Sequence, residues 1–511
     1  MDNKYDVIIL GTGAGGGTIA RALAASGKRI LILERGGFLP RERENWDTRS
    51  VFVEKRYVTD ERWYLDDQPF RPDIHYWVGG NTKMFGAALF RLREADFGEI
   101  VHEGGISPAW AISYDDLEPY YEIAERMYYV HGKAGVDPTE PRRNCPYPYE
   151  PLPHEPRIQQ LEDDLRQLGY SPFPLPMGVR LGNEDGKQGA VTVLSQFDGF
   201  PDITEAKADS HVIGINPALA HENVTLKTHR YVERLETDAS GRKVTHVIAH
   251  YQGEIETFEA NTVIVACGAV NSAALFLRSK NDKHLNGLAN SSGLVGRNYM
   301  CHNNATFLAI SKKPNDSIFQ KTLAISDFYS ASADWEYPMG LIQMLGKSDA
   351  ELMRFESPEP LGGMTHEDMA RRSLDFWLQS EDLPDPDNRV TLNANNDIVF
   401  HYKKNNMVAH YRLTDKLKEL LSYIGCHNYL MPVEYYLGTQ LPFNLAHQCG
   451  TMKFGTDPTA SVLDVNCRPH DLENVYVVDA SFFPSAGAVN PSLTIIANAL
   501  RVADYLQKEV L

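Results

Sequence analysis

The N-terminal residues alternate between short apolar runs and a glycine-rich turn. Residues 5–10 (YDVIIL) form a continuous apolar run that predicts a buried strand, and residues 11–17 (GTGAGGG) end it. Apolar side chains then recur at helical spacing in TIARALAASG, and RILILERGG gives a second buried strand. Strand, glycine turn, helix and strand in this order predict a βαβ unit.

The middle of the chain mixes loops, one helix and many short strands. Residues 76–93 indicate a buried loop that enters a helix, and residues 108–130 indicate an amphipathic helix. Residues 145–156 are proline-dense and predict an ordered loop or arm. The runs over 305–415, among them RVTLNANNDIVFHY, predict a mainly antiparallel sheet.

The α/β pattern resumes later in the chain. TVIVACGAV predicts a third buried strand with a glycine exit, ENVYVVDASFFP predicts a further strand, and LTIIANALRVADYLQ predicts a long helix. We therefore expect an α/β fold in which a Rossmann-like domain is split along the sequence by an inserted α+β domain on a large, mainly antiparallel sheet.

Composition narrows the possible functions. The chain has 511 residues, 43% of them apolar, and can bury a large core. Its formal charge of −18 argues against a nucleic-acid partner, because phosphate binding requires clustered Lys and Arg. No apolar stretch approaches the roughly 20 residues that span a bilayer, so we expect no membrane partner and a cytoplasmic location. The six cysteines form no C-x-x-C pair, and we expect no metal site.

The glycine turn has the spacing of a dinucleotide site. Gly11 permits a tight turn, Gly13 lets the backbone approach a pyrophosphate, and Gly16 lets helix and strand pack closely. Glu34 ends the second strand, where an acidic residue accepts a hydrogen bond from a ribose hydroxyl. FAD and NAD share this fingerprint, which does not choose between them.

Eight segments in order resemble the glucose-methanol-choline oxidoreductases. They are GTGAGGG with LERGG, VGGNTKMFGAALFR, WAISYDDLEPYYEIAE, TVIVACGAVNSAALFLRS, GLVGRNYMCH, EDLPDPDNRVTL, HQCGTMKFGTDPTASVLD and VYVVDASFFPSAGAVNPSLTIIANALRVAD. The resemblance covers nearly the whole chain and implies FAD as cofactor. It implies an FAD-binding domain built from 1–92, 190–300 and 445–511, and a substrate-binding domain built from 93–189 and 301–444.

Within that family the HQCGT segment and the GAVNP ending are most similar to pyranose oxidases and bacterial glycoside 3-oxidases. This resemblance implies a small-molecule partner, a pyranose sugar or glycoside, oxidised at a secondary C3 or C2 hydroxyl. The electron acceptor is expected to be O2, which would yield H2O2. A dehydrogenase with another acceptor and a hydroxynitrile-lyase-like flavoprotein remain as alternatives, and the sequence does not decide the oligomeric state.

His447 and Asn490 match the catalytic positions of the family. A neutral imidazole suits the removal of a hydroxyl proton, because its pKa lies near the operating pH. An amide cannot accept that proton and can only orient the hydroxyl, which leaves His447 as the base. Alternatively, His447 is a hydrogen-bonded core histidine, and Asn490 a turn residue before Pro491.

The fingerprint and the resemblance together imply a set of cofactor-binding residues. These are Gly11, Gly13, Ala14, Gly16, Glu34, Arg35, Gly79, Gly80, Asn81, Met84, Gly86, Ala87, Val232, Cys267, Gly268, Asp479, Ala480, Asn490, Pro491 and Thr494. Met84 stands where fungal pyranose oxidases carry the histidine that bonds covalently to the flavin. A thioether does not readily form that bond, so we expect non-covalent FAD. For the substrate, Trp335 and Gln343 are candidates beside His447 and Asn490, although aromatic residues at such spacing are also common in cores.

Overall fold

A computed structural model describes residues 3–182, 195–356, 359–360, 362–427, 433–435 and 446–511. Its helices are α1 (Ala14–Ala24), α2 (Tyr114–Met127), α3 (Pro156–Gln167), α4 (Asn216–Leu219), α5 (Ala269–Arg278), α6 (Ala350–Glu356), α7 (His366–Arg372), α8 (Met407–Tyr423) and α9 (Ser492–Glu509). Its strands are β1 (Lys4–Leu10), β2 (Ile30–Leu33), β3 (Trp63–Leu65), β4 (Gln68–Phe70), β5 (Ile100–His102), β6 (Gly105–Ser107), β7 (Val130–His131), β8 (Phe173–Pro174), β9 (Met177–Gly178), β10 (Val224–Lys227), β11 (Tyr231–Thr237), β12 (Val244–Tyr251), β13 (Glu254–Val265), β14 (Asn303–Ile310), β15 (Leu323–Ile325), β16 (Leu341–Met344), β17 (Ser373–Ser380), β18 (Arg389–Leu392), β19 (Ile398–His401), β20 (Val433–Tyr435) and β21 (Val475–Val477).

The first large sheet is built around the predicted βαβ unit. Its strand order is β10-β2-β1-β13-β12-β11, and β21 pairs with β13. Strands β10, β2, β1, the end of β13 and β21 run parallel, whereas β12 and β11 are antiparallel. The central parallel strands are apolar where they are buried; Val7 to Leu10 of β1 and Ile30 to Ile32 of β2 are fully buried.

The second large sheet is antiparallel, as predicted for the middle of the chain. Its strand order is β20-β14-β17-β16-β15-β8. The longest pairing joins β14 to β17, from Asn303 opposite Ser380 to Ile310 opposite Ser373. Helix α8 packs Leu413, Leu417 and other apolar side chains into the same core cluster as this sheet.

One predicted hairpin forms in a separate sheet, and one predicted helix does not form. The hairpin over 389–402 is confirmed as β18 and β19, but it belongs to a separate four-stranded sheet with β3 and β4. The helix predicted at the end of 76–93 is wrong: a 3-10 turn spans Gly80–Lys83, and the following residues are irregular. Their backbone pairs with another segment instead, since Leu89 donates to Pro176 and Ala87 accepts from Gly178.

The first sheet collects strands from three separate stretches of the chain, which is the arrangement expected of a split domain. The exact domain boundaries stay a prediction. Among the described residues, no helix is both long and apolar enough to cross a bilayer.

Candidate active site

A cavity of about 460 Å³ lies between the two large sheets. One wall is formed where β1, β2 and β13 end, the edge at which parallel α/β sheets bind ligands. The other includes Gln343 of β16 and Trp377 of β17, which face each other across the strands. The predicted site residues that line the cavity are Gly11, Gly13, Ala14, Glu34, Arg35, Gly80, Asn81, Met84, Gly86, Ala87, Val232, Cys267, Gly268, Gln343, His447, Asp479, Ala480, Asn490 and Pro491.

Gly13 and Gly16 have different surroundings in the turn that begins α1. A Cβ atom on Gly16 would stand 2.1 Å from the carbonyl oxygen of Gly11, so this glycine allows the helix to pack on the strand. A Cβ atom on Gly13 would meet no atom within 4 Å, and Gly13 lines the cavity. The first N–H groups of α1 and its positive end are therefore accessible to an anion in the cavity.

Glu34 lies at the end of β2 and is held by the glycine turn. Its carboxylate accepts hydrogen bonds from Thr12 N at 3.1 Å, Thr12 Oγ1 at 2.5 Å and Gly36 N at 2.8 Å. Burial raises the pKa of Glu34, and these donors oppose that rise. A carboxylate offers about four acceptor positions, so one remains for a ligand hydroxyl.

Arg35 and Val232 lie at the same end of the cavity. The guanidinium of Arg35 stacks on Tyr76, 4.0 Å from the ring centroid, and on Tyr231 at 4.7 Å. It also pairs with Glu61 at 3.2 Å. Arg35 is thus fixed between two aromatic rings beside the Glu34 carboxylate.

Asp479 joins the end of β13 to the segment after β21. One carboxylate oxygen accepts from Gly268 N at 3.0 Å and from the Ser272 hydroxyl, and the other accepts from Ser481 N at 2.9 Å. Burial raises its pKa. This carboxylate fixes the backbone of Gly268 and Ala480, both of which line the cavity.

The position of His447 at the cavity is fixed by the backbone pairing of the segment that follows it. Cys449 and Met300 exchange backbone hydrogen bonds of 2.8 and 3.1 Å, which places His447 beside His302. Both histidines have left-handed backbone, with φ of 63° and 60°. Such a conformation costs about 1–3 kcal/mol for a residue other than glycine, so the surrounding structure must hold it.

The imidazole of His447 lies among three polar or aromatic neighbours. Its Nδ1 is 3.1 Å from Nδ1 of His302, and its Nε2 is 3.5 Å from Nδ2 of Asn490. The Trp377 ring stands 6.2 Å away, centroid to centroid. Burial is the main cause that holds the pKa of His447 well below its usual value, and the neighbouring His302 and Lys321 lower it further. The imidazole is therefore neutral at physiological pH and able to accept a proton.

Asn490 is oriented by the opposite sheet. Gln343 Nε2 donates to Asn490 Oδ1 at 2.9 Å, so the Nδ2 hydrogens of Asn490 are directed toward His447. Two further amide atoms at the cavity, Gln343 Oε1 and Gln448 Nε2, are buried without a partner among the described residues. Both residues line the cavity and offer hydrogen-bonding groups to a ligand.

Comparison with known proteins identifies the family. Two sequence models of the GMC oxidoreductase family match residues 74–304 and 433–499, which together make up more than half of the chain. The chain belongs to the GMC oxidoreductase family. It is an FAD-dependent oxidoreductase that acts on CH–OH groups, as an oxidase or a dehydrogenase, and the enzyme class expected from the resemblance is confirmed.

Full-length relatives of this GMC oxidoreductase include named oxidases and dehydrogenases. It is 29% identical to 6'''-hydroxyparomomycin C oxidase of Streptomyces lividus and 29% identical to paromamine 6'-oxidase of Streptomyces fradiae. Each alignment covers 98% of this chain and 91% of the relative. It is 26% identical to the fructose dehydrogenase large subunit of Gluconobacter japonicus, over 99% of this chain and 98% of the relative.

Solved structures confirm the fold. Pyridoxine 4-oxidase from Mesorbium loti superposes with a TM-score of 0.66 at 18% identity, covering 98% of both chains. A variant of formate oxidase from Aspergillus oryzae superposes with a TM-score of 0.68 at 15% identity, covering 100% of this chain and 99% of the other. The predicted fold, a Rossmann-like FAD domain with an antiparallel substrate-domain sheet, is confirmed.

The cavity of this GMC oxidoreductase fits FAD. Gly13 leaves open space at the N-terminus of α1, where a pyrophosphate would lie, and Glu34 retains acceptor capacity for a ribose hydroxyl. Backbone at Gly80, Gly268 and Ala480 also borders the space. These residues would hold the cofactor along the wall formed by the first large sheet.

Four predicted site residues lie away from the cavity surface. Gly16 packs against the backbone of Gly11, and Gly79 N donates to Thr12 Oγ1 at 2.9 Å, so both contact the glycine turn. The Thr494 hydroxyl is 2.8 Å from the Tyr121 hydroxyl in the buried interface between α9 and α2. Trp335 lies under Arg412, whose guanidinium is 3.8 Å from the ring centroid. Their predicted contacts with cofactor or substrate stay predictions.

The structure adds residues that the sequence analysis did not single out. Lys321 and Asp198 form a buried ion pair at the cavity wall, and Gly346 N donates to Asp198 at 2.6 Å. His302 contacts His447 directly. His302 lies in GLVGRNYMCH, a segment that resembles the family, but its position beside His447 depends on the pairing of Met300 with Cys449.

Proposed function

We propose that this enzyme oxidises a hydroxyl group of a pyranose sugar or glycoside, at the C3 or C2 carbon, with His447 as the base. The observation that carries this proposal is the geometry of His447 and Asn490, whose Nε2 and Nδ2 atoms are 3.5 Å apart at the cavity wall. A substrate hydroxyl beside both would give its proton to His447 Nε2 and accept a hydrogen bond from Asn490 Nδ2. FAD, when bound, takes up the hydride that leaves the alcohol carbon.

The groups around this pair support a sugar-like substrate. Gln343 and Gln448 offer amides, Lys321 and Asp198 offer an ion pair, and Trp377 offers an aromatic face. Such a combination of amide, charged and aromatic groups suits a ligand with several hydroxyls. A wholly apolar alcohol would leave Gln343 Oε1 and Gln448 Nε2 without a hydrogen-bond partner among the described residues, which costs free energy.

The names of two relatives favour oxidation at a carbon other than C3 or C2. They are named as oxidases of paromamine or hydroxyparomomycin, and one name specifies the 6' position. Oxidation there would produce an aldehyde at a primary carbon, whereas oxidation at C3 or C2 produces a ketone. The names of these relatives also favour O2 as the acceptor, while fructose dehydrogenase favours a different acceptor.

We further propose that FAD binds non-covalently and forms no bond to the segment around Met84. Met84 lines the cavity, but its thioether is not the histidine nitrogen that forms the flavin bond in fungal pyranose oxidases.

The decisive experiment is an anaerobic titration of the yellow holoenzyme with free pyranoses, O- and C-glycosides, amino sugars, sterols and aryl alcohols, followed through the visible flavin band. Bleaching by sugars or glycosides supports the proposal, and bleaching only by sterols or aryl alcohols contradicts it. A flavin that stays oxidised with every bound compound would indicate a lyase. NMR of the product distinguishes ketone from aldehyde, and oxygen uptake distinguishes oxidase from dehydrogenase.

The role of His447 is tested by His447→Ala in the same assay. We expect flavin reduction to slow by about a hundredfold or more, the usual contribution of a general base. His410→Ala is the matched control, because burial also lowers the pKa of His410, to about 4, but this residue lies on α8 and does not line the cavity. An unchanged reduction rate in His447→Ala would remove this residue from the mechanism.

A further inference from the structure

We propose that His302 is a positioning residue that fixes the Nδ1–H tautomer of His447 and thereby leaves the Nε2 lone pair facing the cavity. This inference rests on the proposed role of His447 as base. It assigns a function to a side chain that does not line the cavity.

The direction of the hydrogen bonds starts at a carbonyl group. His302 Nε2 is 3.2 Å from the carbonyl oxygen of Ala486, which can only accept, so Nε2 carries the hydrogen. His302 is neutral because burial lowers its pKa to about 4. A neutral imidazole has a single N–H, and the Nδ1 atom of His302 is therefore an acceptor.

The second imidazole must then donate. The two Nδ1 atoms are 3.1 Å apart, and two lone pairs at that distance would repel, so His447 carries its hydrogen on Nδ1. Its Nε2 is left unprotonated, and Asn490 Nδ2, a donor only, lies on that side at 3.5 Å. The series of contacts from the Ala486 carbonyl through His302 and His447 to Asn490 is therefore compatible with only one tautomer of His447.

The carbonyl that sets this direction is itself held in place. The peptide between Ala486 and Gly487 donates through Gly487 N to Glu381 Oε1 at 3.0 Å. Ser107 Oγ donates to the same oxygen at 2.7 Å, and His102 Nε2 lies 3.1 Å from the other oxygen of Glu381. The buried carboxylate thus anchors the loop on the side opposite His302.

Two variants separate this role from simple support of the loop. Asn places an acceptor oxygen near the position of Nδ1 but reaches no further, so His302→Asn keeps a partner for His447 and loses the contact with Ala486. Gln places its amide near the position of Nε2, so His302→Gln keeps a donor for Ala486 and loses the acceptor for His447. We expect His302→Asn to retain most of the flavin reduction rate, and His302→Gln to lose about tenfold or more. The reverse order would show that His302 only supports the loop and would overturn the proposal.

The tautomer itself is measured by 15N NMR of histidine-labelled holoenzyme, with the signals of His447 identified by their loss in His447→Ala. We expect a protonated Nδ1 and an unprotonated Nε2 in the wild type and in His302→Asn, and a mixture of tautomers in His302→Gln. A wild-type signal with the hydrogen on Nε2 would refute the proposal even if neither His302 variant folds. This readout does not depend on turnover, so it is distinct from a failure of His447 as base, which His447→Ala reports.

Discussion

The Gln343 side chain donates a hydrogen bond of 2.9 Å to Asn490, which joins the second large sheet to the segment that leads into α9. This contact decides which end of the Asn490 amide faces His447. With the oxygen engaged by Gln343, the amino group is left for the substrate hydroxyl. The orientation of one active-site amide thus depends on the docking of two sheets that are far apart in sequence.

Substitution of Gln343 should therefore slow flavin reduction even at saturating substrate. Gln343→Leu removes a hydrogen bond worth about 0.5–1.5 kcal/mol, which corresponds to a two- to tenfold slower step. Gln343→Glu should be slower still, because its carboxylate attracts the Asn490 amino group and turns the oxygen toward His447. Stopped-flow reduction measures both variants. Wild-type limiting rates in both would show that Asn490 does not need this orientation.

The sequence predicts the fingerprint turn, the βαβ unit and the presence of His447 and Asn490 at the cavity, because these depend on local spacing or on contiguous motifs. It does not predict the pairs that meet only in the fold. Asp198 and Lys321 are 123 positions apart, and neither belongs to a motif. The aromatic side chain of Trp335 is of a type that often binds sugars, but its ring packs against Arg412. Residue type alone cannot show which side chains meet in the fold.

The two glycines Gly13 and Gly16 should respond differently to a side chain. Gly13 has extended backbone, φ −66°, and open space, so Gly13→Val should fold. Its methyl groups would occupy the cavity and weaken FAD binding by about 1–3 kcal/mol, which is about fivefold to 150-fold. Gly16→Val should instead lower the melting temperature, because its Cβ would stand 2.1 Å from a backbone oxygen. Flavin content and thermal unfolding by circular dichroism report the two effects; normal flavin binding by Gly13→Val would argue against a pyrophosphate at this turn.

The mode of flavin attachment is tested by denaturation. If Met84 makes no bond to the flavin, acid precipitation of the holoenzyme should leave all of the yellow colour in the supernatant. Separation of the denatured chain on a denaturing gel should show no flavin fluorescence in the protein band. Colour that stays with the precipitated chain would contradict non-covalent binding.

The ion pair of Lys321 and Asp198 should influence the pH at which His447 becomes protonated. Lys321 helps to lower the pKa of His447, so Lys321→Met should raise that pKa, and the unpaired Asp198 carboxylate should raise it further. Asp198→Asn leaves the ammonium group uncompensated and should lower the pKa. Because only the neutral imidazole accepts a proton, the acid limb of the flavin reduction rate should move to higher pH in Lys321→Met and to lower pH in Asp198→Asn.

At pH 8, where His447 is neutral in all three proteins, their limiting rates should converge. Removal of one partner from a buried pair also costs about 3–5 kcal/mol of stability, so the double variant Lys321→Met/Asp198→Asn is the matched control for unfolding. It should recover thermal stability and return the acid limb toward that of the wild type. Acid limbs that move in the same direction in both single variants would show that Lys321 and Asp198 act through the fold and not through the charge they present to His447.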